Sequence, residues 1–240
     1  GGGRCVLDKR RESICVVSFF TLRLMKRRTA MSRVRRKKTK KIRNEEEDED
    51  EEEEDELDVR REGSTIFFYA PVTRRSVLRL AMELRKATRE ARLETTSKRR
   101  RVTLFLQSDG GDLYAGLSAM DHVRSNPVPV TTVADGFVAS SATCILLGGH
   151  VRKIMPHTNV LIHQLSMGFW GKYRELLDEV QNSKALMAIL WKVYSERTNL
   201  TKKTLRRLLK SELTLSADEC LREGMVDSVY GWKAGRVGTV

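Results

Sequence analysis

Thirteen of the fourteen residues from 45 to 58 are Asp or Glu, Leu57 being the exception. Such a run cannot enter a hydrophobic core, because packed like charges repel and lose their hydration. It follows a block of opposite sign, since residues 1–44 hold 16 Lys/Arg against 2 Asp/Glu. Neither block has apolar surface enough to bury, so residues 1–58 are expected to form a disordered, basic-then-acidic tail. The part that folds is then 59–240, roughly 180 residues and the size of one well-buried domain. The whole chain carries +13 and the two tail blocks nearly cancel, which leaves the body itself basic.

The segment Met31–Arg43 reads MSRVRRKKTKKIR. A run of this kind can meet an anionic surface or act as a nuclear address. It has no interleaved aromatic residue and so no stacking platform for single strands. The expected state is a solvated arm, and nucleic acid is not an expected partner. The apolar stretch Ile14–Leu22 has about half the roughly 20 residues of a spanning helix, so no membrane association is expected. A signal-peptide reading of that stretch lacks a clean small-residue cleavage site. The sequence opens on glycine, and Met25 and Met31 are alternative first residues. Cys5, Cys15, Cys144 and Cys220 are widely spaced with no CxxC pair, so neither a zinc site nor a disulfide framework is expected. No cofactor is called for. A cytoplasmic or organellar-matrix location is expected, with nuclear targeting through the basic run as the alternative.

The body alternates short apolar runs with helical spacing. Ser64–Ala70, Val102–Gln107, Val128–Val133, Val151–Ile154, Asn159–Ile162 and Val226–Val229 read as strands. Thr73–Leu93, Leu113–Val123, Ala142–Leu147, Lys172–Arg197, Leu205–Leu209 and Ser216–Leu221 read as helices. Gly136–Ser141 reads as a turn. Strands alternating with helices predict an α/β fold with a mostly parallel sheet.

Three strand ends could carry chemistry. Ser108-Asp109-Gly110-Gly111-Asp112 offers paired glycines whose N–H groups can face an anion. Gly136–Ser141 brings Ser140 and Ser141 to the start of a small-residue helix, where free N–H groups could stabilise an oxyanion. His163 ends the apolar run Val160–Ile162. Each has an ordinary structural explanation: a common Gly-Gly turn, a helix-capping serine, a satisfied core histidine. Together, in the order Gly-Gly, Ser, His, they supply the parts of acyl transfer.

From about Ser64 to Tyr230 the sequence resembles the Clp protease proteolytic subunit (ClpP) family. SDGGDLYAG resembles that family's S-P-G-G, and GFVASSATCILL its G-x-A-A-S-M-x-A-x-L-L. NVLIHQ resembles R-x-M-I-H-Q, and LSADECLREGMVDSV resembles L-S-A-x-E-A-x-E-Y-G-L-V-D-x-I. The resemblance implies a crotonase-like repeated β-β-α spiral with a protruding handle helix at Lys172–Arg197. It also implies Ser140 as nucleophile, His163 as general base, and the N–H groups of Gly110 and Ser141 as oxyanion donors. Polypeptide substrates, homo-oligomeric rings of the heptameric type and an AAA+ unfoldase partner are implied with it. Two departures matter. Asp109 stands where the family has proline. Counting back from the L-S-A motif puts Leu208 where the family has its triad aspartate, and the nearest acid is Glu212, with Asp178 and Glu179 as remoter substitutes. The leading expectation is therefore a serine endopeptidase using Ser140, His163 and Glu212. The alternative is a catalytically impaired structural ring subunit. A coenzyme A thioester enzyme of the crotonase type would share the oxyanion hole, but a Ser–His arrangement is not its signature.

Overall fold

The computed structural model describes residues 58–93 and 100–231. The expected tail therefore lies outside the described residues, apart from Asp58. Strand β1 (Val59–Glu62) turns back through Gly63 and Ser64 into β2 (Thr65–Phe68) as an antiparallel hairpin. Gly63 sits at φ 56, where a two-residue hairpin turn needs the left-handed region. No strand was expected over the β1 sequence, VRRE, which lies in the expected body but has no apolar run. Edge strands with charged faces are a common way to stop sheets adding to one another.

Helix α1 (Arg74–Leu93) follows, then β3 (Val102–Ser108), α2 (Leu113–Arg124) and β4 (Val130–Ala139). Next come α3 (Ala142–Gly148), β5 (Val151–Ile154), β6 (Asn159–Leu161) and the long α4 (Tyr173–Arg197). The chain closes with α5 (Lys202–Leu209), β7 (Thr214–Leu215), α6 (Ala217–Arg222) and β8 (Ser228–Val229). The sheet runs β1-β2-β3-β4-β5-β8, mostly parallel, with β6 attached to β4 and β7 to β6. This is the expected mixed α/β class.

One element corrects the sequence reading. Gly136–Ser141 is not a turn throughout, because β4 continues to Ala139. Its first half pairs with β5 through Thr131–Ala134, and its second half with β6 through Phe137–Ala139. The strand thus changes partner at its middle, and Gly136, at φ 63, lies at that change. The chain reverses only at Ser140.

Helix α3 (ATCILLG) is buried on every side, as its lack of any polar face requires. Its terminal carbonyls are capped by Arg197, which donates Nε to Leu147 O at 2.9 Å and a terminal nitrogen to Gly149 O at 2.8 Å. A cation there satisfies acceptors left over at a helix C-terminus. Arg152 in turn donates to Arg197 O and pairs with Asp227.

Helix α4 divides into two halves. Its second half buries Leu186, Leu190 and Tyr194. In its first half Tyr173, Leu176, Leu177 and Val180 are exposed. In α1, similarly, Met82 faces out while Ala81, Ala87 and Ala91 pack inward. No helix among the described residues is long and apolar enough to cross a membrane.

Candidate active site

The site is assembled where β3, β4 and β6 end. Ser140 has φ 54 and is the only non-glycine at positive φ among the described residues. Serine in the left-handed region costs on the order of 1–3 kcal/mol and persists only where its surroundings impose it. Here they do. Ser140 N–H donates to Leu161 O at 2.9 Å, tying the turn to β6. Its carbonyl accepts from Thr143 N–H at 3.1 Å and from Thr143 Oγ1 at 2.6 Å.

Gly110 packs against this turn. A Cβ on Gly110 would lie 2.6 Å from Ser140 Cβ and 2.7 Å from Ala139 O, and its φ is 94. Only glycine fits both the space and the backbone angle. The N–H of Gly110 donates to Ser108 Oγ at 3.2 Å, and Ser108 Oγ donates to Ala70 O at 2.6 Å. Gly110 O accepts from Val72 N–H, and Val72 O from Asp112 N–H, both at 2.8 Å. The Gly-Gly turn is thereby pinned to the segment after β2.

Asp112 caps α2, its Oδ1 accepting from Tyr114 N–H at 2.8 Å and Ala115 N–H at 3.1 Å. Asp109 is exposed on the cleft wall. Ser141 is buried, and its hydroxyl is the one buried side-chain N or O atom without a hydrogen-bond partner among the described residues.

His163 follows β6, and β7 runs antiparallel to β6 with Leu161 opposite Thr214 and Val160 opposite Leu215. Continuing that register by two residues sets His163 opposite Glu212, where side chains on one face come within reach. The contact is present: His163 Nδ1 lies 3.4 Å from Glu212 Oε1. The side chain of His163 is mostly enclosed, whereas that of Glu212 is 74% exposed. Leu208, at the family's aspartate position by ungapped counting, is buried in the core. Asp178 and Glu179 lie on the exposed half of α4, and Glu212 is the acid paired with His163.

Ser140, Ser141 and His163 line one cleft of about 340 Å³, together with Asp109, Gly111 and Tyr194. Beside it, between the segment after His163 and α4, is a groove of about 690 Å³. Its walls include Leu165, Met167, Val180, Met187 and Trp191, and Gln164 and Leu165 border both spaces. Leu165 N–H donates to Met187 Sδ at 3.3 Å and Ser183 Oγ to Met167 Sδ at 2.8 Å, so this segment is fastened to α4.

The sequence model of the Clp protease family matches residues 55–233. The chain belongs to the Clp protease family. It is 32% identical over 143 residues to an ATP-dependent Clp protease proteolytic subunit of Pleurastrum terricola, covering 59% of this chain and 73% of that protein. A protein of the same description from Deinococcus radiodurans is 29% identical over 139 residues, 57% of this chain and 68% of its own length. One from Ostreococcus tauri is 35% identical over 132 residues, 54% and 66% respectively. The mixed α/β sheet agrees with the Clp protease fold, and membership of the family makes the chain a member of a peptidase lineage.

Two residues beside the Ser140 turn carry no signal in the sequence. Thr143 and Tyr194 look like ordinary helix positions, yet Thr143 bonds the Ser140 carbonyl and Tyr194 bonds Thr143. Their polar roles depend on where α3 meets α4, which spacing within either helix does not reveal.

Proposed function

We propose that the chain is a serine-type endopeptidase that cleaves unfolded polypeptides. The observation that carries this reading is the strained Ser140 turn sharing one cleft with His163, whose Nδ1 faces Glu212. Ser140 Oγ attacks the scissile carbonyl carbon while its proton passes to His163 Nε2. Glu212 orients the ring through Nδ1–H and stabilises the imidazolium. The carbonyl oxygen, now an oxyanion, takes the Ser141 N–H and, once it turns from Ser108 Oγ, the Gly110 N–H. His163 then protonates the leaving amine. Water, deprotonated by the same ring, attacks the acyl-enzyme and frees Ser140.

The apolar groove beside the cleft suits an apolar substrate side chain, held by Leu165, Met187 and Trp191. Assembly into homo-oligomeric rings around a chamber is part of the proposal. The exposed apolar face of Tyr173, Leu176, Leu177 and Val180 supports it, because such patches mark contact surfaces. An ATP-driven AAA+ unfoldase as feeding partner is also part of the proposal, supported by the relatives' description as ATP-dependent proteolytic subunits. The test is hydrolysis of a fluorogenic peptide with leucine before the scissile bond, by the full chain beside Ser140→Ala. Turnover that vanishes in the variant supports the proposal, and turnover retained in the variant contradicts it.

A further inference from the structure

The phenol of Tyr194 reaches the nucleophile turn from a different helix. Tyr194, on α4, is 2% exposed and its hydroxyl lies 2.6 Å from Thr143 Oγ1. Thr143 Oγ1 lies 2.6 Å from Ser140 O. The carbonyl can only accept, so the single Thr143 proton points to it. The remaining direction is fixed: Tyr194 O–H donates to Thr143 Oγ1. Burial, the leading cause, and the nearby Cys144 hold the phenol far above its ordinary pKa, so it stays a donor at any working pH. The result is a one-way chain, Tyr194 to Thr143 to Ser140 C=O, between buried side chains.

The carbonyl it ends on belongs to the one strained non-glycine residue described. The Ser140 N–H is held by β6 and its carbonyl by α3, and Tyr194 holds the α3 hydroxyl that does so. Hydrogen bonds in a buried series polarise and strengthen one another.

We propose that Tyr194 and Thr143 are positioning residues that keep Ser140 in its left-handed conformation, with Oγ turned to the cleft; this rests on the reading of Ser140 as nucleophile. The Tyr194 hydroxyl is engaged with Thr143 and not with the reacting atoms, although Tyr194 is part of the cleft wall. Removing either hydroxyl leaves the turn freer to relax toward ordinary φ, so fewer molecules present Oγ correctly.

The experiment compares full-length Tyr194→Phe, Thr143→Val, Thr143→Ser and the Phe/Val double variant. It reads kcat and KM on the fluorogenic peptide, and amide hydrogen exchange across residues 140–144. Loss of one hydrogen bond in a series predicts a fall in kcat of roughly tenfold for Tyr194→Phe and for Thr143→Val, with KM unchanged. The double variant should be no worse than either single one, because both break the same chain. Thr143→Ser keeps the hydroxyl and should restore kcat. Exchange should rise across 140–144 in Tyr194→Phe and not across β2 or β3. Wild-type kcat in Tyr194→Phe, additive losses, or a kcat in Thr143→Ser as low as in Thr143→Val would overturn the proposal. If the unmodified chain itself turns over no peptide, the nucleophile reading fails separately. The exchange measurement then still decides whether Tyr194 holds the turn, and unchanged exchange in Tyr194→Phe refutes it.

Discussion

His163 Nδ1 stands 3.4 Å from Glu212 Oε1 because β7 is registered antiparallel on β6. A glutamate that arrives by strand pairing thus occupies the side of the ring where an orienting acid belongs. The acid is 74% exposed, so water competes with it and screens its charge.

Glu212→Gln is accordingly expected to lower kcat by about tenfold to a hundredfold, less than the four decades lost with a buried triad aspartate. Steady-state peptide hydrolysis checks this. A loss of about four decades would show that Glu212 is far better held in solution, and no loss would remove it from the mechanism.

Gly110→Ala is expected to destabilise the protein by about 2–4 kcal/mol, since the new Cβ both clashes with the turn and sits at positive φ. The collision partner is Ser140 itself, at 2.6 Å. Denaturant unfolding and peptide turnover should therefore fail together. A stable Gly110→Ala protein with full activity would mean that the turn is not packed as described.

Asp109 places a negative charge on the wall of the cleft in which an oxyanion would form. Asp109→Asn is expected to raise kcat/KM by roughly two- to fivefold at low ionic strength, with the gain fading as salt screens the charge. Turnover at two salt concentrations tests it. An equal or lower rate in the variant would assign Asp109 a different role, such as holding a cationic substrate residue.

Cys144 and Cys220 are buried, and burial, their leading cause, pushes each thiol from 9.0 up to about 12. A raised thiol pKa in the folded state means that the native protein binds more protons than the unfolded chain at alkaline pH. Their contribution to stability is therefore whole below pH 9.0 and is lost as pH rises from there towards about 12. At pH 8 neither thiol should react with iodoacetamide until the protein is unfolded. Alkylation of Cys144 in the folded protein would contradict its burial.

Much of this was legible in the residues. The apolar runs gave β3, β5 and the course of β6, and the Gly-Gly, Ser and His strand ends do meet at one cleft. What stayed hidden depended on partners far away in the chain. β1 buries only Val59 and holds Glu83 of α1 through Arg61, so no apolar pattern announced it. β4 ran on through Gly136 because β6 was there to receive its second half. Glu212 was only the nearest acid in sequence until a two-residue strand, too short to show any periodicity, set it beside His163. The apolar residues of α4 divide between core and surface, since the buried ones all lie in its second half.

Everything proposed for the cleft depends on Ser140 being an activated nucleophile. The direct measurement is fluorophosphonate labelling of the full chain, with the modified residue mapped by mass spectrometry. A single adduct on Ser140 is expected, absent from Ser140→Ala and strongly slowed in His163→Ala. A folded protein that takes up no probe, or that carries the adduct on Ser141 instead, would contradict it.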